Sequence, residues 1–207
     1  MILRADKIAQ QLDKPDNPND PLVFRPTPDL DELRGSGAAS IDLRLGCWFQ
    51  VFRGSRLSHF DVYDDQSAKP PSESQLTKHH YVAFGERFIL HPRSFVLAVT
   101  LEWIRIPSNI AGYVVGRSSW GRHGLIIATA TGVHPGFTGC LTLELTNVGE
   151  VPITIKPGTT ICQLFLHSVQ GGDPQLVDHS RFIGNRKPTI GPIQLDDVAR
   201  KLASQTL

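Results

Sequence analysis

Residues 141–167, LTLELTNVGEVPITIKPGTTICQLFLH, contain three short apolar runs separated by two turns. The runs LTLELT, ITI and ICQLFLH have the lengths and apolar content of β-strands. The turn sequences NVG at 147–149 and KPG at 156–158 supply Gly, Pro and Asn between them. Short strands at this spacing predict a β-sandwich, a jelly roll or a distorted barrel, and they argue against a βαβ fold.

The same pattern extends through most of the chain. Further strands are predicted at residues 39–45, 48–52, 95–106, 112–115 and 125–128. Apolar residues near helical spacing predict short helices at 3–12 and 195–202. The sequence therefore predicts one mainly β domain with short helices over residues 1–207.

Three polar stretches interrupt the strands. Residues 13–37 are rich in Pro, Asn, Asp and Gly, which predicts an extended N-terminal connection. Residues 54–80 have no apolar period and predict a long loop or excursion. Residues 178–207 form a polar C-terminal tail that contains Gly and Pro.

The charge and cysteine content exclude several classes of protein. Lys and Arg number 21 against 20 Asp and Glu, a net charge of +1, which argues against a protein that coats nucleic acid polymers. No apolar run is long enough to span a membrane, and the N-terminus lacks the apolar region of a secretion signal. Three dispersed cysteines, Cys47, Cys140 and Cys162, are typical of reduced core thiols, so a cytoplasmic protein is predicted.

Residues 116–124, GRSSWGRHG, are the densest group of anion-binding side chains. Arg117 and Arg122 flank Ser118 and Ser119, and serine is a preferred residue at a helix start. Free backbone amides, hydroxyl groups and two guanidinium groups would suit a triphosphate. The alternative is a serine-capped turn whose arginines pair with surface carboxylates.

Residues 141–146 place one acidic side chain on the polar face of a strand. Three leucines alternate with Thr142, Glu144 and Thr146. If a pocket covers that face, desolvation would raise the pKa of Glu144 towards the range of a general acid or base. The alternative is a glutamate exposed to water.

Residues 128–139, ATATGVHPGFTG, combine small residues with a predicted turn at 134–136. Small residues allow the backbone to approach a flat ligand closely. His134 is either a ligand contact or a turn histidine exposed to water.

The H-x-E and P-C-x-x-C motifs of zinc nucleobase deaminases are missing from the sequence, and the pair His79–His80 does not form a convincing zinc site.

Five segments of the chain resemble the dCTP deaminase branch of the dUTPase-like superfamily, in the order found there. They are ASIDLRLG at 39–46, FVLAVTLEWIRIPSNIAGYVVGRSSWGRHGL at 95–125, HPGFTGCLTLELTN at 134–147, VPITIKPGTTICQL at 151–164 and RFIGNRKPTIGP at 181–192. The resemblance implies a distorted β-barrel or jelly-roll subunit in a homotrimer, with active sites between subunits. It also implies a deoxynucleoside triphosphate substrate, with Mg²⁺ bound through the substrate phosphates.

The resemblance also assigns roles to individual residues. Those that it places at the substrate are Arg117, Ser118, Ser119, Trp120, Gly121, Arg122, His134, Thr142, Leu143, Arg181 and Asn185. The first six would hold the triphosphate and shape its turn, Thr142 and Leu143 would line the nucleotide, and Arg181 and Asn185 would close over the phosphates. Glu144 aligns with the catalytic glutamate. It would take a proton from a water that attacks C4 of cytosine and then deliver protons so that ammonia leaves, without zinc.

Two departures from the family pattern affect the predicted reaction. His134 replaces an Asp that positions the attacking water in dUTPases and lies against the deoxyribose in the deaminases. This change weighs against hydrolysis of dUTP. Phe182 replaces a Tyr and removes one hydroxyl group.

The sequence leaves three functions open. The leading one is deamination of dCTP to dUTP and ammonia, for pyrimidine deoxynucleotide supply. The second is a dUTPase-like or bifunctional hydrolase that yields dUMP and diphosphate. The third is a nucleotide-binding regulator without catalysis.

Overall fold

The computed structural model describes residues 1–54, 73–128, 132–170, 184–191 and 197–203. Its strands are β1 (Val23–Arg25), β2 (Ile41–Phe52), β3 (Thr77–Tyr81), β4 (Phe88–Leu90), β5 (Phe95–Arg105), β6 (Ile110–Gly116), β7 (Leu125–Ile127), β8 (Gly132–Val133), β9 (Thr138–Asn147), β10 (Ile153–Ile155) and β11 (Thr160–Ser168). Its helices are α1 (Ala5–Asp13), α2 (Leu30–Gly35), α3 (Glu73–Leu76), α4 (Ser118–Gly121) and α5 (Asp197–Ala203).

One large sheet organises the described residues. Its strand order is β7-β9-β5-β2-β11-β6-β8, with β1 added beside β5 and β3 beside β2. All of these pairs are antiparallel, and β4 and β10 form a separate two-stranded sheet. The predicted mainly β class is therefore confirmed.

The core follows from alternation along the long strands. On β9, Leu141, Leu143 and Leu145 point to the buried side, where they join leucines of β2 and β11. The fully buried side chains of largest volume also include Phe24, Phe49, Ile104 and Ile155. We use the name outer face for the side of the β3–β2–β5–β9 part of the sheet that faces away from this core.

The predicted boundaries differ from the structure in three places. The two strands predicted at 39–45 and 48–52 are one continuous strand, β2, whose register against β5 shifts between Leu45 and Phe49. The connection predicted at 13–37 contains β1 and α2, because Asp29 caps α2 through two backbone amides and Leu33 is buried.

Part of the excursion predicted at 54–80 also has regular structure. Residues 73–81 form α3 and β3, whereas 55–72 lie outside the described residues. The short strands β4 and β8 were not predicted. None of the helices in the described ranges has the length and apolar character that a membrane span requires.

Candidate active site

Glu144 lies in the middle of β9, on the outer face. Thr142 shares this face, whereas Leu143 and Leu145 are buried on the other side, which confirms the predicted alternation. Glu144 is half-buried, and this burial raises the pKa of its carboxyl group above the usual value. Among the described residues its carboxylate has no hydrogen-bond or ion-pair partner. The group is therefore available to exchange protons with a ligand.

Two buried side chains lie beside Glu144 in one row across the strands. Leu97 of β5 is directly opposite Glu144, and Gln50 of β2 is directly opposite Leu97. Both are buried although they face away from the core, and the Gln50 amide donates hydrogen bonds to Thr77 and Glu73. These neighbours keep water from one side of the Glu144 carboxylate, which accounts for the desolvation that raises its pKa.

Leu143 could line a nucleotide on the outer face only through its backbone. Its side chain is fully buried in the core, and its backbone lies opposite Ala98 of β5. Successive residues of a strand face opposite sides, so the Leu143 side chain does not lie beside Thr142 and Glu144. Thr142 is half-buried on the outer face, where the sequence predicted it.

The segment predicted to bind phosphate forms the single-turn helix α4. Arg117 is its N-cap residue and makes no side-chain capping bond, so the expectation of a serine cap is wrong: Ser118 is already the first helical residue. Ser118 and Ser119 are exposed, and their backbone amides have no acceptor among the described residues. Trp120 Nε1 donates to the carbonyl of Thr160 at 3.0 Å, which fixes the turn against β11.

The two arginines of this segment have different surroundings. The Arg117 guanidinium forms an ion pair with Asp42 of β2. Arg122 follows Gly121 at the end of α4, is exposed, and has no ion-pair partner within the described part of the chain. Pairing with a surface carboxylate therefore describes Arg117 but not Arg122, whose guanidinium is open to an anion.

His134 begins the turn between β8 and β9. Its carbonyl accepts a hydrogen bond from the Phe137 amide at 3.2 Å, and Gly136 has a φ of +78°, which glycine adopts without strain. The predicted turn is confirmed. The residue is exposed, so its imidazole is open both to solvent and to a ligand.

The C-terminal tail lies beside the start of β9 and is joined to it by two backbone hydrogen bonds. The Asn185 carbonyl accepts from the Cys140 amide at 2.9 Å, and the Gly184 amide donates to the Thr138 carbonyl at 2.7 Å. Asn185 therefore lies at the start of the strand whose middle carries Glu144, four residues or roughly 13 Å further along.

Beyond this point the tail crosses the outer face. Lys187 Nζ lies 4.0 Å from the centre of the Trp48 ring, and His79 Nε2 contacts the Pro188 carbonyl at 3.0 Å. These contacts could not be predicted from the sequence, because no local pattern joins the tail to β2 and β3. Arg181, the other predicted tail residue, lies outside the described residues.

The structure thus places the predicted residues in two groups. Glu144, Thr142 and Asn185 belong to β9 or its edge, whereas residues 117–122 surround α4 near β2 and β11. No hydrogen bond or ion pair among the described residues joins Glu144 to residues 117–122. The described residues also contain no group of three His, Cys, Asp or Glu side chains arranged to hold a metal ion.

Residues 2–169 match the family model described as dCTP deaminase-like. The chain belongs to the dCTP deaminase-like family. Two relatives that match it over most of their length carry the name "dCTP deaminase, dUMP-forming". The protein of Corynebacterium efficiens is 37% identical over 199 residues, 91% of this chain and 92% of that protein. The protein of Mycobacterium tuberculosis is 40% identical over 156 residues, 73% of this chain and 78% of that protein.

A solved structure supports the fold of this dCTP deaminase-like chain. The 2'-deoxycytidine 5'-triphosphate deaminase from Agrobacterium tumefaciens aligns with a TM-score of 0.57 and 20% identity. The alignment covers 80% of this chain and 48% of that one. At this identity the likeness concerns the fold alone.

Gly139 allows the tail to approach β9 in this dCTP deaminase-like chain. Its φ is +145°, and a Cβ added there would lie 3.2 Å from the Asn185 carbonyl oxygen. Gly139→Ala is therefore expected to displace the tail from β9 and to change the fluorescence of Trp48, which the tail contacts through Lys187. Gly35→Ala, which meets no atom within 4 Å, is the matched control. Unchanged fluorescence in Gly139→Ala would show that the tail tolerates the added carbon.

Proposed function

We propose that this protein removes ammonia from dCTP and then diphosphate from the resulting dUTP, so that dUMP is the final nucleotide. The two steps consume two waters: the first replaces the amino group at C4, and the second cleaves the bond between the α- and β-phosphates. The sequence alone favours dUTP as the product. The names of the relatives, at 37% and 40% identity, favour dUMP, which was the second function considered.

The observation that carries the proposal is the environment of Glu144. A carboxylate with a raised pKa and no partner among the described residues lies on the sheet face that the tail crosses. In its ionised form it would accept a proton from water as that water attacks C4 of cytosine. As a carboxylic acid it would pass this proton to the ring nitrogen N3. It would then carry the proton of the new C4 hydroxyl group to the amino group, so that the C4–N bond breaks, ammonia leaves and the C4 carbonyl of uracil forms. Thr142, on the same face, is positioned to contact the nucleotide beside it.

The segment around α4 is the proposed triphosphate site. The exposed serines, the two free amides and the Arg122 guanidinium provide donors of the kind that bind phosphate oxygens. Mg²⁺ would arrive bound to the substrate phosphates and neutralise part of their charge. No zinc is invoked for the deamination step, because Glu144 supplies the proton transfers.

Formation of dUMP also requires an attack of water on the α-phosphate. His134 stands where the family pattern has an Asp, and its imidazole is exposed. An imidazole nitrogen, like a carboxylate oxygen, can accept a hydrogen bond. We assign it to contact with the sugar and phosphate part of the nucleotide. The replacement therefore keeps a polar side chain that can contact the nucleotide at this turn.

We infer that the two residue groups are completed by other copies of the chain in a homotrimer. No hydrogen bond or ion pair among the described residues joins Glu144 to residues 117–122, and a substrate must touch both. A neighbouring copy that brings its α4 segment to the outer face would complete the site, as in ring-shaped oligomers with cyclic symmetry. Each trimer would then contain three such shared sites.

Product analysis tests the proposed function. The purified protein is incubated with dCTP or dUTP and Mg²⁺, and nucleotides, ammonia and diphosphate are quantified over time. We expect ammonia and diphosphate in equal amounts from dCTP, together with dUMP. Ammonia with accumulated dUTP would indicate deamination alone, and saturable binding with neither product would indicate a regulator. Either result would overturn the proposal.

The raised pKa of Glu144 predicts an unusual pH dependence. The carboxyl group must be ionised to accept a proton, and burial makes it protonate at a higher pH than an exposed glutamate does. The kcat for ammonia release is therefore expected to fall, as pH decreases, already above the ordinary glutamate pKa of about 4.3. A rate that stays constant down to that value would contradict the role of Glu144.

A further inference from the structure

A cavity of about 440 Å³ lies on the outer face, away from Glu144. Its described lining consists of Arg25, Leu101, Trp103, Cys140 and Arg186. Cys140 precedes Glu144 by four residues on β9, a separation of roughly 13 Å. None of these five residues belongs to the predicted substrate site, so that site does not account for the cavity.

The lining residues form a row across the strands. Arg25 of β1 is directly opposite Trp103 of β5, and Trp103 is directly opposite Cys140 of β9. The Cys140 amide donates to the Asn185 carbonyl, so the tail lies beside Cys140, and Arg186 of the tail lines the same cavity. Directly opposite residues share one face of a sheet. The row therefore has a guanidinium group at each end and an indole between them.

The charges around the cavity leave it cationic. Neither Arg25 nor Arg186 has an ion-pair partner among the described residues. Two nearby charges are already paired: Arg105 with Asp20 at 3.3 Å, and Glu102 with Arg44 at 2.7 Å.

The Arg25 guanidinium is also held in place before any ligand binds. Its Nη1 atom donates to the Thr27 hydroxyl at 2.8 Å and to the Phe24 carbonyl at 3.1 Å. The remaining N–H groups are left for an anion. A fixed guanidinium loses less conformational entropy on binding a phosphate than a mobile one does.

We propose that this cavity is a second nucleotide site, which takes a nucleoside polyphosphate with its base on the Trp103 indole and its phosphates on Arg25 and Arg186. Guanidinium groups match the geometry of phosphate, and an indole stacks with any nucleobase. Its volume lies within the range of small-molecule sites. The described lining offers no carboxamide or carboxylate to recognise a base edge, so purines and pyrimidines are both accepted.

The site would couple ligand binding to the tail. Arg186 follows Asn185, whose carbonyl binds the edge of β9. A polyphosphate that joins Arg186 to Arg25 would hold the tail on the strand that carries Glu144. Occupancy of this cavity is therefore a means of regulating the neighbouring site.

Calorimetric titration with ATP tests the proposal, because a purine nucleotide is not a substrate of the proposed reaction. We expect one ATP per subunit at this cavity. Arg25→Gln, Arg186→Gln and Trp103→Leu are each expected to weaken binding about tenfold. Arg87→Gln, another exposed arginine, is the matched control and should leave the affinity unchanged. Inorganic triphosphate should compete with ATP, and adenosine should bind more weakly than either.

A second comparison separates this site from the substrate site. Arg122→Ala should leave ATP binding unchanged, since Arg122 lies in the α4 segment. If Arg122→Ala abolished ATP binding while Arg25→Gln did not, the nucleotide would occupy the α4 segment and the proposal would be wrong. No ATP binding at all would also overturn it. Arg25→Gln alters an exposed side chain, so it keeps the test valid if Trp103→Leu fails to fold.

Discussion

Replacement of Glu144 by Gln is expected to lower the kcat for ammonia release from dCTP by about 10²- to 10⁴-fold, the usual contribution of general acid–base catalysis. The amide keeps the size of the side chain but neither accepts a proton from water nor returns one to the leaving amino group. Nucleotide binding should persist, because the phosphates are held by other residues. The measurement is steady-state release of ammonia, combined with calorimetric titration of dCTP.

Two comparisons make this result specific to Glu144. Glu150→Gln changes an exposed glutamate in the turn after β9 and should leave kcat unaltered. With dUTP as substrate, Glu144→Gln should still release diphosphate, because deamination is not needed there. Ammonia release at the wild-type rate would remove Glu144 from the mechanism. Loss of both reactions together with loss of binding would indicate a damaged fold instead.

The face of β9 on which Glu144 lies could be predicted from the sequence, because it depends only on residues that are close together along the chain. Alternation of leucine with polar residues over 141–146 determines which side chains are buried, whatever the rest of the sheet does. The same alternation places the Leu143 side chain in the core, so the substrate contact that the family resemblance assigns to Leu143 would have to come from its backbone.

Other parts of the site depend on contacts between distant segments. The sequence TKHHY at 77–81 has no apolar alternation, yet it forms β3 because β2 supplies its hydrogen-bond partner. The tail is polar, and its position is determined by β9 and by the ring of Trp48. Gly139 leaves room for this approach, but nothing near Gly139 in the sequence indicates which segment it accommodates.

The segment around α4 could be predicted only in part. The one-turn helix and its two exposed serines follow from GRSSWGRHG at 116–124. Which arginine is free could not be predicted, because the partner of Arg117 is Asp42, 75 residues earlier in the chain. The sequence gives both arginines the same expected role, whereas the structure distinguishes them.

Arg122→Ala is expected to raise the KM for dCTP by roughly 10- to 100-fold with a small change in kcat, as a lost charge-assisted hydrogen bond to phosphate would do. The Arg122 guanidinium is exposed and has no ion-pair partner among the described residues, so its removal leaves no buried charge behind. Arg122→Lys should give an intermediate KM, because it keeps the charge and loses the planar fork. Arg87→Ala, an exposed arginine elsewhere, is the control. An unchanged KM would contradict the phosphate role.

The same variant also tests whether the site is shared between copies of the chain. Subunits carrying Arg122→Ala are mixed with subunits carrying Glu144→Gln, dissociated and reassembled, and assayed at a dCTP concentration where each variant alone is inactive. If one copy supplies Glu144 and its neighbour supplies Arg122, random mixing leaves about one quarter of the sites with both residues intact. Activity should then recover to about that fraction of the wild-type rate. Sites built within a single chain would recover nothing, because every chain in the mixture lacks one of the two residues.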